Sequence, residues 1–260
     1  MKARPEILYL AALAGLMALI AAARFDLVEL AFRTTLHELG KGGAVRIKLL
    51  AEIALFGGIL LFTLWVIPRK AAPRRDACIV GAAALAGFFA ESWGTDLGLW
   101  RYYTGERPPL WIVPAWPLGA LVIDRCSDMT RTLLETWLDP RAVRAAWGFM
   151  VLLVLGYFVA FSARWLTHPA TLIVLAGLAA ALFLRPDPSR DLPVLLTGAC
   201  CVFFADLWGT TNNCWRYHIQ DGSLLTLAGG VSFGALFDSA VVLLCLKGVE
   251  AYRPFGPCKG

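Results

Sequence analysis

The chain has 260 residues, of which 58% are apolar and 17% charged. A soluble domain of this size carries about a quarter charged residues, so a soluble single-core protein, a disordered chain and a collagen-like repeat are all excluded. The net charge of +5 is small and spread over connections. It fits a membrane-topology signal better than a nucleic-acid footprint, and no nucleic-acid partner is expected.

A bilayer-crossing helix needs about 20 mostly apolar residues. Eight segments qualify in chain order, at 6–23, 49–67, 77–93, 111–125, 144–163, 169–184, 192–208 and 227–247. The first reads as a retained helix rather than a cleaved signal. Residues 25–39 follow a different pattern. Phe25, Val28, Phe32, Leu36 and Leu39 share one helical stripe, and Asp26, Glu29, Arg33 and His37 share another. This spacing predicts an amphipathic helix in the membrane interface, or one packed over the mouth of the bundle.

The fourth segment contains Pro114 and Pro117 and runs on into a charged stretch, 126–143. That stretch is read as a cytoplasmic amphipathic connection. Asp124, Asp128, Arg131 and Glu135 share a face there, expected to be a solvated ion-pair surface.

With the N-terminus inside, fifteen of the 24 Lys and Arg residues lie on the cytoplasmic side. The positive-inside rule then places both termini in the cytoplasm of a prokaryotic inner membrane. The domain organisation expected is a first membrane repeat over 1–125, the connection, a second membrane repeat over 144–247 and a cytoplasmic tail over 248–260. Seven cysteines form no CxxC pair, and three histidines are widely scattered. No metal and no cofactor is expected.

An internal repeat is the strongest feature. Residues 88–102 read FFAESWGTDLGLWRY and residues 203–217 read FFADLWGTTNNCWRY. The offset is 115 without a gap, and nine of the fifteen positions are identical. Glu91 faces Asp206 across the alignment. The expected fold is therefore an all-α polytopic bundle of about eight transmembrane helices, built as two parallel four-helix repeats plus one interfacial helix.

Glu91 and Asp206 each end a long apolar run. An intramembrane carboxyl group is costly and marks a functional site by default. A carboxylic acid kept protonated in an apolar pocket is a Brønsted donor. The competing expectation is structural, with each acid paired to Arg101 or Arg216 of the WRY triplets. Trp93, Trp100, Trp208 and Trp215 flank the acids, with Tyr102 and Tyr217 nearby. Indole faces stabilise cations, although tryptophans also form ordinary interfacial belts. Gly94-Thr95 and Gly209-Thr210 are expected to cap their helices. Asp238 lies within the last span and faces Ile123 of the first half, which makes it a weaker site candidate.

An acid ending a span, then a glycine, an aromatic-x-Tyr loop and a proline-led span, in two copies, resembles the integral-membrane carotenoid hydratases and related lycopene cyclase domains. The likeness covers roughly 88–121 and 203–236. It implies acid-catalysed protonation of a polyene end without a metal, with Glu91 and Asp206 as acids. Trp100, Tyr102, Trp215 and Tyr217 would form the pocket wall. The Pro-x-Glu-Glu element of the cyclases is replaced here by Ile112-Val113-Pro114-Ala115-Trp116, and the WRY arginines lie outside that family's pattern. The expected function is proton-initiated cyclisation, hydration or isomerisation of a hydrophobic isoprenoid, a lyase or isomerase of carotenoid type. Trp93, Arg101, Trp208 and Arg216 join the substrate-binding set. The alternative is a non-enzymatic membrane protein, either a lipid-binding or transport bundle or a subunit of a larger complex.

Overall fold

The computed structural model describes residues 5–252. Over these residues the chain is all-helical apart from two three-residue strands. It divides into two compact units, one ending at Pro73 and one beginning at Arg74.

The first unit holds α1 (Pro5–Ala23), α2 (Phe25–Gly40) and α3 (Gly43–Val66). α1 and α3 are apolar on all sides, whereas α2 is amphipathic and buries none of its residues. That pattern suits helices surrounded by, or lying on, an apolar solvent. Arg33 and Glu29 pair along the polar face of α2 at 2.5 Å.

The second unit holds α4 (Pro73–Asp96), β1 (Trp100–Tyr102), α5 (Ala115–Trp137), α6 (Pro140–Phe161), α7 (Pro169–Phe183), α8 (Pro188–Thr211), β2 (Trp215–Tyr217) and α9 (Leu224–Ala251). The starts of α6, α7 and α8 are written in the sequence as Asp-Pro, His-Pro and Asp-Pro. Proline fits the first helical turn, where its missing N–H costs nothing. The residue before it caps: Asp139 accepts from the Arg141 and Ala142 amides, both at 2.7 Å, and Asp187 accepts from the Ser189 amide at 3.1 Å. α9 is the central helix of this unit, with buried residues along nearly its whole length. An aromatic column forms the core beside it: Trp93 stacks on Phe158 at 5.5 Å, Phe237 on Phe233 at 5.4 Å, and Phe233 on Phe161 at 3.6 Å.

Six of the described helices are long and apolar enough to cross a membrane: Glu6–Ala23 within α1, then α3, α4, α6, α8 and α9. The expectation of eight such helices is therefore met for six. α7 is apolar but only 15 residues long. α5 carries too many polar groups, and it runs without a break to Trp137, so no separate connecting element exists over 126–143. The tail expected over 248–260 is helical to Ala251, and its remainder from 253 lies outside the described residues.

Both bounds of α8 lie 115 positions after those of α4, and β2 lies 115 positions after β1. The similarity therefore extends back to Pro73 and Pro188, and to Arg75-Asp76 and Arg190-Asp191. These charged pairs tie each helix start to the helix that follows the ribbon. Arg75 donates two bonds to Asp124 of α5 at 2.6 and 2.7 Å, and Arg125 meets Asp76 at 2.7 Å. Lys247 of α9 meets Asp191 at 2.6 Å, and Arg190 pairs with Glu250. Asp124 is thus consumed by arginine, and Arg131–Glu135 is an exposed ion pair of the kind expected of that face.

The glycines after the acids do not cap their helices. α4 and α8 continue to Asp96 and Thr211, and the left-handed residues are Gly98 (φ 69°) and Asn213 (φ 57°). Gly94 and Gly209 instead leave room for an indole: a Cβ at either would fall within the ring of Trp100 or Trp215. We expect Gly94→Ala and Gly209→Ala each to destabilise the fold by about 1–3 kcal/mol, read as a lower thermal midpoint in detergent. Gly15→Ala, where a Cβ meets open space, is the control and should leave the midpoint unchanged.

Candidate functional site

The strands that follow α4 and α8 pair antiparallel. The register sets Trp100 against Tyr217, Arg101 against Arg216 and Tyr102 against Trp215. The arginines thus face their own equivalents and each tryptophan faces the tyrosine of the other copy, which relates the two strands by a local two-fold through the arginine pair. The flanking bonds obey the same correspondence. The Tyr103 amide donates to the Cys214 carbonyl at 3.0 Å, and the His218 amide to the Leu99 carbonyl at 2.9 Å. Leu99 and Cys214 donate back to Gly94 and Gly209, both at 2.8 Å. The Thr95 and Thr210 hydroxyls each donate to the carbonyl of the acid one turn earlier, at 2.6 Å.

A strand alternates its faces. Tyr102 and Tyr217 point inward and are buried, while Arg101 and Arg216 point outward and are exposed. The inward tyrosines reach the acids. Tyr102 donates to Glu91 at 3.0 Å, and Tyr217 to Asp206 at 2.7 Å. Glu91 and Asp206 are both buried, with relative exposures of 4% and 6%. Neither pairs with an arginine among the described residues. The arginine-paired alternative is therefore not what this geometry holds.

The two acids differ in their remaining partners. Glu91 also receives the Trp100 indole on Oε2 at 3.0 Å and the Trp116 indole on Oε1 at 3.2 Å. Indole N–H groups can only donate, so both Glu91 oxygens are committed as acceptors. Gly87 lets Trp116 come this close, because a Cβ there would overlap its indole. Among the described residues Asp206 receives only the Tyr217 hydroxyl. The counterpart of Trp116 is Val231, and Trp215 does not reach the shorter Asp206 side chain. Gly234 of α9 lies directly against the Asp206 carboxyl, where a Cβ would collide with it.

The two acid environments join through aromatic rings. Trp100 packs edge-on against Tyr217 at 6.2 Å, and Tyr102 lies tilted against Trp215 at 5.8 Å. Glu91, Asp206 and Asp238 lie within electrostatic reach of one another. Asp238 sits one helical turn beyond Gly234 and is partly buried. Burial pushes the Tyr102 and Tyr217 phenols well above the usual tyrosine range, and the nearby carboxyl groups add to the effect. Both tyrosines therefore stay neutral donors at physiological pH.

The expected wall is assembled in part. Trp93 is buried, donates to the Thr171 hydroxyl at 3.0 Å and packs edge-on against Trp100 at 5.8 Å. Trp208 and Trp215 are only partly buried. Two residues absent from the expected set belong to the site: Trp116, as a Glu91 donor, and Gly234, as the close neighbour of Asp206. His218 is held edge-on between Phe161 at 4.5 Å and Trp165 at 5.1 Å, and burial lowers its imidazole below the usual histidine range. Among the described residues no cluster of His, Cys, Asp and Glu could hold a metal ion.

The unequal bonding predicts unequal tolerance. Glu91→Gln turns an NH₂ group toward an indole N–H, leaving a buried donor unpaired, and is expected to cost about 1–3 kcal/mol. Asp206→Asn can turn its carbonyl oxygen to Tyr217 and should cost less. Thermal unfolding of both variants in detergent checks the order; equal losses would refute the assignment. No family model, no curated protein and no solved structure matches this chain.

Proposed function

We propose that this chain is an integral membrane enzyme that protonates a hydrophobic, isoprenoid-type polyene, with Asp206 as the proton donor. The observation that carries the reading is a buried aspartic acid held by one neutral hydroxyl, without a cation, in a wall of aromatic rings. A cation partner would fix the carboxyl group as a charged strut. A single tyrosine donor leaves its second oxygen free of hydrogen bonds among the described residues.

In this mechanism the Asp206 proton adds to one carbon of a terminal C=C bond. The π pair becomes the new C–H bond, and the neighbouring carbon is left as a cation. The faces of Trp100, Trp215, Tyr102 and Tyr217 stabilise that charge. A second double bond of the same polyene can attack the cation and close a ring. Loss of a proton from an adjacent carbon to the Asp206 carboxylate then restores the acid. Addition of water followed by loss of its proton gives hydration, and proton loss without ring closure gives isomerisation. Each route balances without an oxidant, a metal or a cofactor. Glu91 and Asp238 supply the electrostatic setting, and Trp93 and Trp208 extend the wall.

The same reading takes the eight apolar segments as eight spans in two parallel four-helix repeats, with α2 as an interfacial insertion. Support comes from the equal bounds of α4 and α8 and from the shared direction in which both enter the ribbon. The membrane would be a prokaryotic inner membrane with both termini cytoplasmic, which places the ribbon on the outer side. In a cysteine-free background, an impermeant thiol reagent added outside the cell should label Leu110→Cys and not Ser189→Cys. The opposite pattern inverts the topology, and labelling of both refutes it.

The saturated bonding of Glu91 favours a second reading, a non-catalytic lipid-binding bundle or complex subunit in which the carboxyl groups only brace the ribbon. Expression of wild type and Asp206→Asn in a polyene-accumulating bacterium separates the two. The enzyme reading expects a changed polyene in the wild-type lipid extract. It also expects a loss of about 10²–10⁴-fold in turnover for the variant at equal folded protein. An unaltered polyene pool with wild type, or full turnover with the variant, rejects the assignment.

A further inference from the structure

The outward face of the ribbon carries its own site. Arg101 and Arg216 are directly opposed in the antiparallel register, and both are exposed. Side chains at opposed positions share one face with their Cβ atoms about 5 Å apart, and like charges placed there repel. A fold that needed this pair only for packing would offset that repulsion with an acid. Among the described residues no acid pairs with either arginine. Arg101 makes no hydrogen bond or ion pair among the described residues, and Arg216 donates only to the Gln220 carbonyl at 2.7 Å. Glu91 and Asp206 lie on the opposite, buried face with donors of their own. Asp221, in the loop after β2, is held by Ser223 and Thr226. Yet arginine occupies this position in both copies, while six of the fifteen aligned positions between 88–102 and 203–217 differ.

We propose that Arg101 and Arg216 form a two-guanidinium clamp for a phosphate- or diphosphate-bearing group at the centre of the ribbon. Each guanidinium is a rigid planar fork that bonds two oxygens of one phosphate. Two forks about a local two-fold suit a group with several anionic oxygens better than a single carboxylate. The clamp lies where α4 and α8 end and α9 begins, at the end of three apolar helices, and that is the depth of a lipid headgroup. The ligand class is therefore an organic phosphate, either the headgroup of an anionic lipid or the diphosphate of a prenyl chain. The site stands independently of the proton-donor reading, because neither arginine touches an acid.

The experiment uses the full chain in a neutral detergent, as wild type, R101Q, R216Q, the double glutamine variant and the double lysine variant. Three probes are compared: inorganic phosphate, inorganic diphosphate, and nanodiscs of phosphatidylcholine with or without phosphatidic acid. Thermal midpoints report the soluble anions, and native mass spectrometry of protein released from the nanodiscs reports retained lipid. Wild type should be stabilised by diphosphate or retain phosphatidic acid; which of them acts identifies the source. Each single glutamine variant should bind roughly 10- to 100-fold more weakly, and the double variant should not respond. The lysine variant keeps the charge but loses the fork, so it should bind between these limits. Without ligand, the glutamine variants should match or exceed the wild-type midpoint, because a repulsion has been removed. The proposal is overturned if wild type responds to no probe, or if the double glutamine variant binds as wild type does. A lower ligand-free midpoint in the glutamine variants also overturns it, because the arginines would then serve the ribbon itself.

Discussion

Two carboxyl groups in an apolar interior must be satisfied without cations, and the ribbon is the solution. Each three-residue strand turns one tyrosine inward to the acid that ends the helix before it. Each strand can do so only because its partner supplies the backbone bonds that hold it extended. A two-stranded ribbon of this length has little stability of its own. Here it is fixed at both ends by helices and from below by two buried tyrosine–carboxyl bonds. Removing a charge partner from a buried acid is costly; neutral phenol and indole donors avoid the need for one. The glycines at 94, 209 and 234 follow from the same demand, because indoles and a carboxyl group must approach helix backbones closely.

The two halves satisfy this demand to different degrees. In the first, Trp116 and Trp100 close around Glu91 until both oxygens are engaged. In the second, valine replaces Trp116, aspartate replaces glutamate, and Asp238 adds a further acid nearby. The first site engages both carboxyl oxygens, and the second engages one among the described residues. The difference of one methylene between Glu91 and Asp206 carries much of this, since the shorter side chain falls short of the indole that its counterpart reaches.

The far end of the second unit works by the opposite chemistry. Arg75, Asp76, Asp124 and Arg125 interlock, and Arg190, Asp191, Lys247 and Glu250 do the same for the second copy. Charged pairs bind one end and neutral aromatic donors the other. The helices between them are held at both ends.

Much of this was legible in the chain itself. Apolar runs of sufficient length locate the membrane helices, because burial in lipid depends on composition and length alone. The 115-residue offset makes Glu91 and Asp206 equivalent and brackets the WRY triplets. Carried further back, it also finds Pro73 with Pro188 and Arg75-Asp76 with Arg190-Asp191. Some things only the tertiary structure decided. Strand pairing of the triplets depends on two segments more than a hundred residues apart meeting in one register, which no local pattern encodes. The choice of partners for the acids was open for the same reason: arginine is the obvious counter-ion in sequence, but strand alternation turns it outward and brings tyrosine inward. Gly94 and Gly209 read as helix stops because glycine often ends helices; their actual task, making room for an indole, depends on where a tryptophan six residues later folds back. Trp116 and Gly234 carried no local signal at all, since their roles arise only when α5 and α9 pack against the ends of α4 and α8.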